Sequence, residues 1–251
     1  MIARLIFICL FNAALLLPAH ASTITVAAAS DLRFALTDIA ADYERTHPGT
    51  LINLVFASSG KLFSQLSQGA PYDLFLSADI DYPQRLYDAG LATHAPVAYA
   101  QGRLLLWSTR HDIRTLALAD LTQTRFQRIA LAQPLHAPYG RLARDVLTQH
   151  GLWHTLQSRL VFADNVAHAA QLVASGAADV GLLAHSVVPH DEGYPLAIDH
   201  ANASPLVQGY VITARTPETV NAAKQFTDWL LAPSAQAVLV RYGFSVQDST
   251  P

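Results

Sequence analysis

VAAASDLRFAL, residues 26–36, is the stretch on which the fold turns. Val26 and three alanines close an apolar run that begins near residue 23. Ser30 and Asp31 interrupt it, and Leu32, Ala35, Leu36 and Ile39 then recur at helical spacing. A strand that passes within two residues into a helix is half of a βαβ unit. The pattern repeats along the chain. Strand-like runs at 23–28, 51–56, 73–78, 128–133, 160–163 and 179–183 alternate with helical periodicity at 31–45, 60–68, 81–89, 139–150 and 166–175. This alternation predicts an α/β protein with mainly parallel sheets.

Two longer extended runs stand apart, VAYAQGRLLLWST (97–109) and SPLVQGYVITART (204–216). They bracket about a hundred residues. One reading is a domain inserted into another through two crossing hinge strands. The other is a pair of central strands in one domain. The two-lobe reading assigns 22–102 and 206–251 to lobe 1 and 103–205 to lobe 2. Beyond residue 216 the chain turns helical again, with Thr216 as N-cap and Pro217 at the first helical position.

Composition narrows the class. Of 251 residues, 51% are hydrophobic and 14% charged, which suits one or two globular domains with a large core. Residues 1–21 have a different character. Arg4, the apolar run from Leu5 to Leu17 and the Ala19-His20-Ala21 tripeptide predict a cleavable secretory signal, and with it export to a periplasm. Cys9, the single cysteine, lies inside this leader, so the mature chain is read as free of disulfides and thiolate chemistry. The leader carries one of the 16 basic residues and none of the 19 acidic ones. The mature chain therefore holds 15 against 19, a net charge of −4 with neutral histidines. That charge is wrong for tracking nucleic acid.

The serine at the 30/31 turn invites a simple explanation, capping of the helix that follows, with Asp31 complementing the helix dipole. Yet similar turns recur at Ser58-Ser59-Gly60, at Pro138-Tyr139-Gly140 and at Asp164-Asn165-Val166. Four strand ends each deliver a helix N-terminus, two before the central segment and two within it. Ligands of open α/β sheets sit beyond the carboxyl ends of the strands, and helix N-termini favour anions. The donors on offer are hydroxyls and backbone amides. Lys61 and Arg141 lie just inside helices, where a solvent-facing role is expected. A fully deprotonated tetrahedral oxyanion only accepts hydrogen bonds, so neutral dipoles suffice to hold it. Such donors predict little pH dependence of affinity between about pH 6 and 8.

Five motifs in order, AAASDL (27–32), FASSGKL (56–62), GAPYDLFLSAD (69–79), APYGRLA (137–143) and LVRYGF (239–244), strongly resemble the periplasmic molybdate-binding proteins of ABC transporters. The likeness runs over residues 22 to about 246. It implies a type II periplasmic-binding-protein fold, with two α/β lobes joined by crossing strands and a ligand cleft between them. It also implies capture of molybdate, and of tungstate, which has the same shape and charge, for delivery to a membrane permease by a monomer with no cofactor. Carried over by position, Ser30 and Ser59 bind through hydroxyl and amide. Tyr139 and Val166 donate amides, and Asp31 adds its own amide. Some members place a tyrosine hydroxyl where VGLLAHS (180–186) has Ala184, so that donor is missing here or is supplied by a neighbour such as His185.

Other readings have less support in the residues. Another tetrahedral oxyanion, sulfate or phosphate, would use similar donors. A metal-transport protein would need clustered ligands. The ten histidines outside the leader are scattered, Gly151 separates His150 from His154, and His47, His111 and His190 sit in polar loop contexts. An exported serine hydrolase would need a G-x-S-x-G elbow, which FASSG lacks, and SSGKL lacks the upstream glycine of a phosphate loop. Asp73 and Asp79 flank a buried strand and are expected in turn and cap roles, so the chain is not read as an enzyme.

Overall fold

The computed structural model describes residues 22–189, 191–198 and 205–246. The leader and His190 lie outside the described residues.

The elements follow in chain order as strands β1 (Ser22–Ala29), β2 (Thr50–Ala57), β3 (Leu74–Ser77), β4 (Val97–Gly102), β5 (Leu104–Ser108), β6 (Ile129–Ala132), β7 (Leu160–Ala163), β8 (Val180–Ala184), β9 (Tyr194–Ala197) and β10 (Leu206–Ile212). Between and after them run helices α1 (Arg33–Thr46), α2 (Ser59–Ser67), α3 (Asp81–Asp88), α4 (Pro138–Gln149), α5 (Trp153–Leu156), α6 (Val166–Ala174), α7 (Pro217–Leu231) and α8 (Pro233–Arg241). Ser30–Leu32 and His185–Val187 form single 3-10 turns.

The strands make two five-stranded sheets. The first has the order β2-β1-β3-β10-β4 and the second β7-β6-β8-β5-β9. Each is built alike. Three parallel strands (β2, β1, β3 and β7, β6, β8) are followed by an antiparallel one, β10 or β5, and then an edge strand. In β1, Ile24, Val26 and Ala28 enter the core under α1, α7 and α8, while Ala27 joins Leu62, Leu66, Phe75 and Leu86 under α2 and α3. Burial on both faces explains why β1 is an almost unbroken apolar run rather than an alternating one. A separate core fills the second body around Trp107, Phe126, Leu131, Val146, Leu156, Val173 and Leu182.

The extended run 97–109 breaks at Arg103. β4 lies in the first sheet and β5 in the second, so the chain passes from one body to the other there. The run 204–216 behaves differently. Only Leu206–Ile212 is strand, all of it in the first sheet, with a register shift at Gln208/Gly209. β9 ends at Ala197 and β10 begins at Leu206, and residues 199–204 between them lie outside the described residues. Among the described residues no helix is long and apolar enough to cross a membrane.

Candidate functional site

The four turns singled out from the sequence meet. A cavity between the two bodies is lined by Ala29, Ser30, Ser58, Ser59 and Ala78 from the first, and by Ala137, Pro138, Tyr139 and Val166 from the second. It encloses about 190 Å³ of space free of protein atoms, part of it open to solvent. No charged side chain is in its wall.

Each turn is presented by a strand end. β1 ends at Ala29, and the backbone turns at Ser30 into a 3-10 turn that leads into α1. The simple explanation for Ser30, capping, fails, because no side-chain capping hydrogen bond forms at this helix start. α2 tells the same story, since Ser58 stands at its N-cap without capping it. Instead Ser59 Oγ accepts the Ala78 N–H at 3.0 Å. That leaves the Ser59 hydroxyl hydrogen free to point elsewhere. In α4, Pro138 takes the first helical position, where no N–H is needed, and the Tyr139 amide follows it. α6 is capped by Asn165, whose side chain accepts the His168 N–H at 3.0 Å, and Val166 opens the helix. The donors therefore come from two serine hydroxyls and from amides in the first turns of helices, all at least nine-tenths buried. In a site shielded from water these partial charges act strongly on an anion.

Two expected site residues contribute no side chain to the cavity wall. Ala184, the last residue of β8, is buried and pairs with Leu104, and the cavity wall is made by other residues. Next to it, the His185 amide donates to Arg103 O at 3.0 Å, and its ring lies against Gly243. Asp31 does not present its carboxylate to the helix dipole at the surface. The side chain is fully buried, its Oδ2 accepts from Gln208 Nε2, and its Oδ1 has no hydrogen-bond partner. Burial raises the Asp31 carboxyl to about 6, against smaller lowering contributions from Gln208 and Tyr139. The expectation of little pH dependence rests on hydroxyl and amide donors and takes no account of this carboxyl behind the cavity. Burial and the nearby Asp31 also push the Tyr139 and Tyr99 hydroxyls well up, so both stay protonated as donors.

The two basic residues near the turns do not simply face solvent. Lys61 Nζ lies 2.9 Å from Asp164 Oδ1 on the opposite body. Arg141 pairs with Asp79 and donates to Tyr82 Oη at 2.9 Å, again across the cleft. Ser58 Oγ and His136 Nδ1 are 2.9 Å apart, and the Gly60 N–H donates to His136 O at 2.9 Å. The bodies are thus held together by direct contacts near the cavity. Beside it lies a far larger groove, about 1170 Å³ of protein-free space, lined by Asp79, Asp81 and Asp145 as well as Arg85 and Arg141. Three carboxylates make it a poor place for an anion, although the first turns of α3 and α4 border it.

Sequence reasoning did not single out Gln208 or His136, and it took Ser58 only as part of its turn. The signal for Gln208 was present: one amide in the otherwise apolar strand LVQGYVI. Among the described residues no three His, Cys, Asp or Glu side chains gather as a metal site requires.

A family model for bacterial extracellular solute-binding proteins matches residues 24–245, nearly the whole described chain. The chain belongs to this family. Among curated relatives, the molybdate-binding protein ModA of Rhodobacter capsulatus is 32% identical over 92% of this chain and 91% of its own length. ModA of Escherichia coli K12 is 30% identical over 89% of each. Among solved structures, the periplasmic molybdate-binding protein of Azotobacter vinelandii superposes with a TM-score of 0.84 at 32% identity, covering 90% of this chain and all of that one. The sulfate-binding protein SubI of Mycobacterium tuberculosis, at 12% identity and a TM-score of 0.77, shares the fold. The family match makes the chain a solute-binding protein of the type II periplasmic fold rather than a hydrolase.

Proposed function

We propose that this chain is the periplasmic binding protein of a molybdate ABC transporter. The observation that carries the reading is the cavity itself, where four helix-opening turns from two bodies converge with hydroxyls and amides and no charged side chain. Its dipoles stabilise a dianion without a counter-ion, and its wall offers no carboxylate to receive the proton of a protonated phosphate. The relatives and the solved neighbour named for molybdate support the choice of ligand.

In this reading Ser30 and Ser59 donate their hydroxyls, and the amides of Ser30, Asp31, Ser59, Tyr139 and Val166 complete the shell. Ala184 contributes no side-chain donor. Lobe 1 comprises 22–102 and 206–251 and lobe 2 comprises 103–205. The ligand closes the lobes on one another, and the closed monomer is the form that a membrane permease accepts. Tungstate binds alongside molybdate because the two ions share shape and charge.

Calorimetric titration of the purified mature chain with molybdate, tungstate, sulfate and phosphate tests this. Tight binding of the first two with weak binding of the others is expected. Preference for sulfate or phosphate would overturn the choice of ligand.

A further inference from the structure

Behind the cavity lies a buried polar group of four side chains from four elements. Gln208, in β10 at the register shift, is fully buried. Its Oε1 accepts the Tyr99 hydroxyl of β4 at 2.7 Å. Its Nε2 donates to Asp31 Oδ2 and lies 3.5 Å from Tyr139 Oη. The Asp31 carboxylate lies near enough to the Tyr139 hydroxyl to help push its pKa up. Asp31 and Tyr99 belong to the first body, Tyr139 to the second, and Gln208 to the strand that follows the return between them.

Gly102 makes the arrangement possible. A Cβ at Gly102 would lie 2.1 Å from Tyr139 Oη and 3.0 Å from Gln208 Nε2. Only a residue without a side chain lets the Tyr139 ring cross into the first body at the end of β4.

Two of these residues adjoin the cavity. Asp31 follows Ser30, and Tyr139 is in the wall. The distance between the donors of the two bodies is therefore set from behind. One planar amide, whose own orientation is fixed by Tyr99, reaches both the Asp31 carboxylate and the Tyr139 hydroxyl. A buried network with nearly every member paired has few alternative arrangements.

We propose that Gln208 is a positioning residue that fixes the span between the two halves of the oxyanion shell, and so sets selectivity by anion size. It touches no ligand; it acts through Asp31 and Tyr139. Molybdate and sulfate are both tetrahedral dianions, but the metal–oxygen bonds of molybdate are longer. A shell of fixed span rewards one size, and a shell free to adjust does not. This inference rests on the oxyanion reading of the cavity.

The test is calorimetry with molybdate and with sulfate on the wild type, Gln208→Ala, Tyr139→Phe and the double variant. Gln208→Ala is expected to weaken molybdate about tenfold or more, and to lower the ratio of molybdate to sulfate affinity by about tenfold. Tyr139→Phe, which keeps the main-chain amide, should lower the same ratio. The double variant should lose little beyond the worse single variant, because both remove one linked unit. A merely structural role would weaken both anions alike, and an unchanged ratio would overturn the proposal, as would additive losses. If Gln208→Ala fails to fold, Tyr139→Phe decides alone by the same ratio. A wild type that binds neither anion would instead defeat the oxyanion reading.

Discussion

Gly60→Ala should separate lobe closure from lobe folding. Gly60 is in the first turn of α2, and its backbone does not use the left-handed region, so alanine strains nothing there. Alanine also favours a helix over glycine by up to about 1 kcal/mol. The obstacle is across the cleft. A Cβ at position 60 would lie 2.6 Å from His136 O and 3.0 Å from His136 Cα, both backbone atoms of the opposite body, and 2.9 Å from Tyr82 Oη. An ordinary C···O contact is roughly 3.3–3.6 Å, so His136 must retreat by about 0.7–1.0 Å. The Gly60 N–H to His136 O bond, now 2.9 Å, then exceeds hydrogen-bond length, and the Ser58–His136 contact at 2.9 Å is disturbed with it. Each such bond contributes about 0.5–1.5 kcal/mol net. The closed form should lose about 1–3 kcal/mol, which is roughly five- to 150-fold in dissociation constant. Calorimetry with molybdate should show this loss, while thermal unfolding without ligand shows a Tm equal to or above wild type. Affinity within twofold of wild type would refute the argument that His136 sets the closed position. A large fall in Tm would show that the damage lies in folding instead.

Ser30→Ala and Ser59→Ala should each weaken molybdate binding by about ten- to a hundredfold, the loss of a hydrogen bond to a charged group. Ser59→Ala should also lower Tm, because it leaves the buried Ala78 N–H without its acceptor; equal Tm values for the two variants would contradict that geometry. Asp31→Asn should change the pH dependence of stability. The carboxyl, raised from 3.8 to about 6, binds its proton more tightly folded than unfolded. Wild-type stability should therefore fall as pH rises from about 4 through 6, by a total of about 3 kcal/mol. Urea unfolding of the asparagine variant should lack this fall, and parallel curves for the two proteins would count against a buried ionised carboxylate. Arg141→Met removes the contacts to Asp79 and Tyr82 across the cleft. It should weaken binding about two- to fivefold, with a shallower salt dependence, as befits a partly exposed ion pair; an unchanged salt slope would assign Arg141 no part in closure.

Much of the architecture was legible in the chain because the relevant patterns are local. Strands expected at 51–56, 160–163 and 179–183 appear as Thr50–Ala57, Leu160–Ala163 and Val180–Ala184. Helices expected at 60–68, 139–150 and 166–175 appear within one residue at each end. β9 was missed. It is four residues long and contains Pro195, which is tolerated because β9 is the edge of its sheet. The four turns that line the cavity could be found because a helix start has a short signature in serine, proline and asparagine.

What the sequence determined by itself is the set of strand-to-helix turns and the neutral donors they carry, since each depends on neighbours within a few residues. Tertiary structure alone decided which atoms face one another across the cleft. Capping and ligand-binding serines look alike in sequence; only the fold shows that Ser59 Oγ takes the Ala78 amide and that Ser58 reaches His136, 78 residues away. Lys61 and Arg141 looked solvent-facing because their carboxylate partners are on the other body. Asp31 looked like a helix-dipole partner because nothing nearby predicts Gln208, 177 positions on. The split of 97–109 into two sheets at Arg103 is of the same kind. Backbone pattern encodes extension, but the identity of the strand across the ladder is set by how the two bodies close their cores.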